Sequence, residues 1–515
     1  MKKIVFYFVA LFILVANTNS QTITITPSIK YQTMAGWEAI EYTCQNDCSN
    51  FSVFQSDVLD SAIELGISRI RLELWTQSSC QTFDIADLDD KITKVINPLR
   101  AKMAAKGDTL WVNLCVVDAQ GSCYGSGSVG GPMPLTHYAS KLVEVYKHIQ
   151  NTYGWIPDSW EIILEPNFVS KYWTPDDIGN ATNLGYDSLV AAGFPPPYII
   201  GPSAPGGGQA AIDFFDLIKA STPSAISKWK EFSYHRYAET DTYLAQIKSR
   251  AAANGLKAAM LEYGPGRYTD LHKDIKEADA VSWDRMGIAG YDDHTGYDGW
   301  GHFTVSSQTG TTFTLANDTK LIRQYYKCVH KGAVRIDATS TDNLFDPIAF
   351  KNRNGDHVVI VKSTGAGSFT IGGLPAGDYG IFYTLDVFGT ATDYNTQLPD
   401  QTITTGQNIS TGIPNVGVIT IYQKNMTVGI KKRPEADHLI LFPNPASDLI
   451  QVSTTNNDFI SKAIMYDLQG KIVFTQKFNS AEKQIIDVTQ LQNGVYHLQT
   501  LSNNKQYDTK IAILK

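Results

Sequence analysis

The 515-residue chain carries 43 Lys and Arg against 51 Asp and Glu, a net charge of −8, and 11% of it is aromatic. That length calls for two or three domains and supports large cores without a disulfide scaffold. The acidic balance argues against a nucleic-acid partner or an anionic membrane surface, both of which need basic patches.

The chain opens on Met-Lys-Lys, an apolar run over 4–16, and then Asn-Thr-Asn-Ser-Gln. A basic start, about a dozen apolar residues and a small polar exit predict a secretory signal peptide over 1–20, cleaved after Ser20. The run is too short for a membrane span and no other segment is longer, so the mature protein is expected to be soluble and exported. Six cysteines (Cys44, Cys48, Cys80, Cys115, Cys123 and Cys328) fit an oxidising destination. Cys44 and Cys48 are placed to staple one loop, and Cys115 lies in an apolar run as a buried thiol would. No His falls at ligand spacing near Cys44 and Cys48, which leaves zinc the weaker alternative.

From about residue 30 to 330, short apolar runs alternate with longer amphipathic stretches. Strands are predicted at 32–37, 68–74, 110–117, 159–164, 198–202, 231–235, 257–261 and 286–291. Helical patterns between them include 56–65, 89–106, 136–153, 176–192, 241–254 and 270–283. This rhythm predicts an α/β fold, a (β/α)8 TIM barrel over 21–330. A doubly wound sheet competes, but no Gly-rich phosphate turn follows the first strand.

After a helical stretch at 317–330 the pattern changes to short alternating runs punctuated by turns, which predicts a side β-sandwich over 331–425. An early strand at 22–25 is a candidate member of it. A basic linker (426–437) leads to a small C-terminal β-sandwich domain at 438–515, marked by Pro-Asn-Pro, Leu-Gln-Gly-Lys and Asn-Gly-Val-Tyr.

Two carboxylates stand out. Glu165, in Trp-Glu-Ile-Ile-Leu-Glu-Pro-Asn, and Glu262, in Ala-Ala-Met-Leu-Glu-Tyr-Gly-Pro-Gly, each end an apolar strand and precede Pro or Gly. Counting places them after the fourth and seventh barrel strands, where a barrel carries its active groups. Strands four and seven face each other across the mouth, which allows the roughly 5–5.5 Å separation of a retaining glycosidase pair. The alternative for each is a solvated carboxylate at a strand end.

On these residues, 25–425 resembles the clan A glycoside hydrolases, and within them family 30, whose barrel carries a side β-sandwich built partly from an N-terminal strand. Further matches are Tyr-Gln-Thr-Met-Ala-Gly-Trp at 31–37, Gly-Pro-Ser at 201–203, Tyr-His-Arg-Tyr at 234–237 and Gly-Ala-Val-Arg-Ile at 332–336. The resemblance implies that Glu165 is the acid/base and Glu262 the nucleophile. It also implies that Arg71 holds the nucleophile ionised, an ion pair with Glu73 being the alternative. The clan usually has Asn directly before the acid/base, to bind the sugar 2-hydroxyl. Here that residue is Leu164, whose side chain cannot hydrogen-bond; either another residue, with Asn167 the candidate, supplies the contact, or the substrate is recognised differently at that carbon.

His235, at the tip of the sixth strand, and Tyr237 and Tyr263 are further site candidates. Trp37, Trp75 and Trp300 are candidates for stacking on a pyranose face, although burial in the core is the more common fate of a Trp. The acidic cluster at 291–300 reads as a calcium loop or, more simply, a solvated one. The C-terminal module resembles the sorting domain of the type IX secretion system of Bacteroidota, which implies export and contact with that machinery.

The expected function is thus secreted, retaining hydrolysis of a β-linked polysaccharide, with no cofactor or metal implied. A glycan-binding protein that kept the barrel and lost catalysis is the alternative. A metal-dependent esterase or lyase is disfavoured by the absence of Gly-x-Ser-x-Gly and His-Glu-x-x-His.

Overall fold

A computed structural model describes residues 21–77, 82–118, 133–166, 168–238, 240–291, 301–424 and 439–515, apart from 443, 455–458, 468–470, 482 and 503–504. The signal-peptide segment, Cys80, Cys123, Asn167, Trp300 with most of the acidic cluster, and the linker lie outside the described residues. The chain divides into two compact units, 1–426 and 427–515.

The first unit contains an eight-stranded sheet of Trp37–Ile40, Ile67–Trp75, Trp111–Val117, Ser159–Glu161, Ile199–Ala204, Trp229–His235, Lys257–Glu262 and Asp284–Gly287. From the first to the seventh, each strand pairs in parallel with the next, and the eighth pairs in parallel with the first. Between the seventh and eighth, a bridge at Met260 and Trp283 and the bond from Met260 N–H to the Ser282 carbonyl (3.2 Å) nearly close the barrel.

The inward positions hold charge as well as carbon. Arg69 donates both arms of its guanidinium to Glu231 (2.8 and 2.7 Å) and also pairs with Glu38. Asn113 donates to Glu38 (3.1 Å) and Glu161 (2.8 Å). All five are buried to within 1%. Such buried pairs add little net stability, but stranding one partner costs about 3–5 kcal/mol, so they penalise any register slip of the strands that carry them.

The first strand differs from the sequence expectation of 32–37. Gln21–Thr33 belongs to another sheet, Gly36 turns the chain at φ +123°, and the barrel strand begins only at Trp37. A Cβ at Gly36 would meet the Ser68 hydroxyl at 2.6 Å, so the turn needs glycine for its φ and its space. Glu38 breaks the apolar pattern of this strand, and its carboxyl pairs with Arg69 rather than with water.

Trp37 consequently sits at the strand's start, the end opposite the mouth. It is 1% exposed, stacks on Tyr326 (centroids 4.4 Å apart) and donates its indole N–H to the Val329 carbonyl at 2.7 Å. The expected sugar-binding role for Trp37 is therefore corrected to a core role. Trp37→Ala should lower unfolding free energy by roughly 3–5 kcal/mol in urea titration, with catalytic parameters of the remaining folded protein unchanged.

The eighth strand is Asp284–Gly287 rather than 286–291. Ala289–Tyr291 leaves the barrel to form a three-stranded sheet with Phe303–Val305 and Phe313–Leu315.

A nine-stranded sheet accompanies the barrel. Its strand Gln21–Thr33 lies between Val334–Ser340, to which it is antiparallel, and Gly367–Gly372, to which it is parallel. Side chains from opposite ends of the strand order, Ile409 and Ile371 at one and Tyr379 and Ile403 at the other, share one apolar core. The sheet is therefore folded over on itself.

The second unit has a three-stranded and a four-stranded antiparallel sheet around Ile450, Val452, Met465, Ile486, Leu498 and Ile511. No helix among the described residues is long and apolar enough to cross a membrane.

Candidate active site

Alternation along the second barrel strand points Arg69, Arg71, Glu73 and Trp75 to one face, inward and progressively nearer the mouth. Arg71 is fully buried. One arm of its guanidinium donates to the Leu261 carbonyl (3.2 Å), and the other reaches Glu262 (2.5 Å) and Glu73 (3.2 Å). Arg71 thus pairs with Glu262 and Glu73 at once.

Glu262 is the last residue of the seventh strand, in register with His235 at the end of the sixth. The Tyr237 hydroxyl donates to its second oxygen at 2.8 Å. Burial alone would raise the Glu262 pKa. The charges of Arg71 and His235, with the hydrogen bonds from Arg71 and Tyr237, outweigh it and hold the carboxyl below its ordinary range.

Glu165 follows the fourth strand after three apolar residues. Its N–H donates to the Ser203 carbonyl (3.0 Å), and its own carbonyl accepts from Phe168 and Ser170 (3.1 Å each). The backbone there is left-handed, φ +42°, a conformation that costs a non-glycine residue about 1–3 kcal/mol and recurs at functional sites. It turns a 3%-exposed carboxyl back over the barrel. His235 Nδ1 and Glu165 Oε1 share a hydrogen bond of 2.7 Å. Burial would lower the His235 pKa, but the Glu262 charge, the hydrogen bond to Glu165 and the Glu165 charge together raise it.

Oxygens of Glu165 and Glu262 and a ring nitrogen of His235 thus lie within 4.8 Å of one another. Three such groups also have the spacing of metal ligands. Both Glu262 oxygens are already engaged, however, one of them by a guanidinium, and a cation there would face Arg71 at close range.

The groups open on a cavity of about 670 Å³. Arg71, Glu73, Glu165, Tyr237 and Glu262 form its polar floor. Trp75 flanks it, with its indole N–H donated to Glu73 at 3.1 Å. The wall beside Glu165 is apolar: Leu164 packs with Cys115, Val117, Trp75 and Val169, and Phe168 extends it outward at 61% exposure. Leu164 is thus part of a continuous patch, not an isolated exchange for a polar residue. Tyr263 stays at one remove, edge-on to Tyr237 at 5.7 Å. Asn167 and Trp300 lie outside the described residues.

Cys44 and Cys48 form a disulfide in the loop after the first strand, which also carries the cavity residue Tyr42, while Cys115 and Cys328 are free. Tyr42, Phe168 and Met286 were not expected at the site. Each sits in a loop or at a strand edge where only the folded chain gives direction.

Residues 440–514 match one protein family, the secretion system C-terminal sorting domain. A curated relative, an endo-acting ulvan lyase from Formosa agariphila, is 35% identical over 79 residues, a match that spans 15% of this chain and 15% of that protein. Among solved structures, a GH30 endoxylanase from Clostridium papyrosolvens C71 aligns over 78% of this chain and 100% of its own, with TM-score 0.60 and 16% identity. A family 30 subfamily 8 xylanase from Clostridium acetobutylicum gives the same coverage and TM-score at 17% identity. An endo-beta1,6-glucanase aligns over 79% of this chain and 95% of its own, with TM-score 0.59 and 16% identity. The chain therefore ends in a sorting domain that marks it for export, to the cell surface or beyond, and otherwise shares the barrel fold of the family 30 glycoside hydrolases.

Proposed function

We propose that the chain is a retaining glycoside hydrolase that acts outside the cell on a β-linked polysaccharide. The observation that carries this reading is the approach of one Glu165 oxygen and one Glu262 oxygen to within 4.8 Å, from different strands and in different electrostatic settings. Inverting pairs stand roughly 6.5–9.5 Å apart to admit a water, whereas retaining pairs need about 5–5.5 Å.

Glu262, held ionised by Arg71 and oriented by Tyr237, attacks the anomeric carbon. Glu165 gives a proton to the departing oxygen as the glycosidic bond breaks. His235 shares a proton with Glu165 along their hydrogen bond and fixes the direction of that carboxyl. In the second half, Glu165 takes a proton from water while the hydroxyl oxygen displaces Glu262, which restores both groups. Structural neighbours that are xylanases and a β1,6-glucanase support a carbohydrate substrate, and the C-terminal domain supports a site of action beyond the outer membrane.

The test is product analysis on β-glucans, xylans, galactans and fungal glycans, with the anomeric configuration of fresh product read by proton NMR. A first product of unchanged configuration, insensitive to chelator, is expected. An inverted product, an unsaturated sugar or chelator-sensitive turnover would overturn the mechanism. Binding without release of reducing ends would leave a glycan-binding protein.

A further inference from the structure

The hairpin between Gly377–Val387 and Thr390–Ile403 turns through two residues, Phe388 and Gly389, at φ +52° and +81°. Such a turn favours Asn-Gly, and a bulky aromatic residue at positive φ is an outlier that calls for a reason. Packing is not the reason, since Phe388 is 103% exposed.

The hairpin is nonetheless firmly placed. Asp386 accepts from Arg267 (3.1 Å) and from the Tyr268 hydroxyl (3.0 Å). Asn317 donates to the Gly389 carbonyl (3.1 Å) and accepts from Ala391 N–H (2.9 Å). Arg267 and Tyr268 begin the helix after the seventh barrel strand, and Asn317 begins the helix Asn317–Tyr326 after the eighth. Helices of this fold start at the mouth end, so the hairpin tip is clamped at the level of the cavity. The clamp continues to the cavity: Arg267 pairs with Asp318, Asp318 with Arg285, and Arg285 donates to the carbonyl of Gly301, a cavity residue.

We infer that Phe388 is a stacking platform for a distal sugar unit of a polysaccharide chain that extends out of the catalytic cavity. The C–H face of a pyranose covers an aromatic ring, and a rigid mount spares the ordering cost of holding it there. The inference rests on the hydrolase reading for the nature of the chain, and its test separates the two.

Phe388→Asn puts the favoured residue into the turn, so stability and function should move in opposite directions. The melting temperature should rise by roughly 1–2 °C. KM on whichever of soluble xylan and β-1,6-glucan the wild type cleaves should rise about 5- to 10-fold. Turnover of an aryl β-glycoside of the same sugar, which fills only the cavity, should not change. An unchanged polymer KM, or a parallel loss on the aryl glycoside, would overturn the proposal. Where the wild type cleaves neither polymer, electrophoresis through gels that contain each one decides: retardation lost in Phe388→Asn supports the platform without the hydrolase, and equal or absent retardation overturns it.

Discussion

Glu262→Gln should reduce kcat on any substrate of this protein by roughly 10⁴-fold or more, the scale seen when a covalent nucleophile is removed. The amide has the carboxylate's shape and keeps an acceptor for the Tyr237 hydroxyl, so the cavity is retained while the attacking charge is lost. Arg71 keeps Glu73 at 3.2 Å, which limits the cost of removing its other partner. The pH dependence of stability supplies a second readout. Glu262 has a folded pKa below its unfolded value, so its ion pair contributes stability in full above the unfolded pKa and loses it as pH falls through the depressed folded one. The variant has no such group. The melting-temperature gap between wild type and Glu262→Gln should therefore be widest near neutral pH and shrink below about pH 4. A constant gap would show that the Arg71 pairing is not what holds Glu262 ionised, and undiminished turnover would remove Glu262 from the mechanism.

Glu165 and Glu262 were legible in the sequence because strand tips write a simple signal, an apolar run that ends in a carboxylate beside Pro or Gly. Arg71 was legible for a related reason, since a guanidinium inside an apolar strand must find a carboxylate. The two residues are brought together by strand order, which counting recovers, and not by local sequence. Trp37 shows where that reasoning stops. An aromatic residue at the start of a strand and one at its end look alike until the register is known, and Gly36 moved the strand's start past the expected place. Trp75, two residues beyond Glu73 on the same inward face, does reach the cavity. The first and last barrel strands were blurred for a common physical reason. Each carries a buried carboxylate, Glu38 or Asp284, that breaks the hydrophobic run, although burial is satisfied for Glu38 by Arg69 across the barrel. Phe388 carried no readable signal, because a Phe-Gly pair in a β-rich stretch reads as strand and its exposure appears only in the folded hairpin.

Glu165→Ala should separate the two halves of the reaction by leaving group. Without a proton donor, cleavage of a polymer or an alkyl glycoside should fall by roughly 10²–10⁴-fold in kcat/KM. A dinitrophenyl glycoside departs without a proton, so its first step should be nearly unaffected, and the glycosyl enzyme on Glu262 should then accumulate for want of a base. Added azide needs no base and should restore turnover, giving a glycosyl azide with the substrate's own anomeric configuration. His235 offers an internal check, because its raised pKa rests first on Glu262 and next on the hydrogen bond and charge of Glu165. Loss of Glu165 should lower the His235 pKa without returning it to that of an isolated buried imidazole, as the histidine resonance would report by NMR titration. A dinitrophenyl glycoside that suffers as much as the polymer would mean that Glu165 positions the substrate instead of protonating it. An azide product of inverted configuration would mean that Glu262 is not the group displaced.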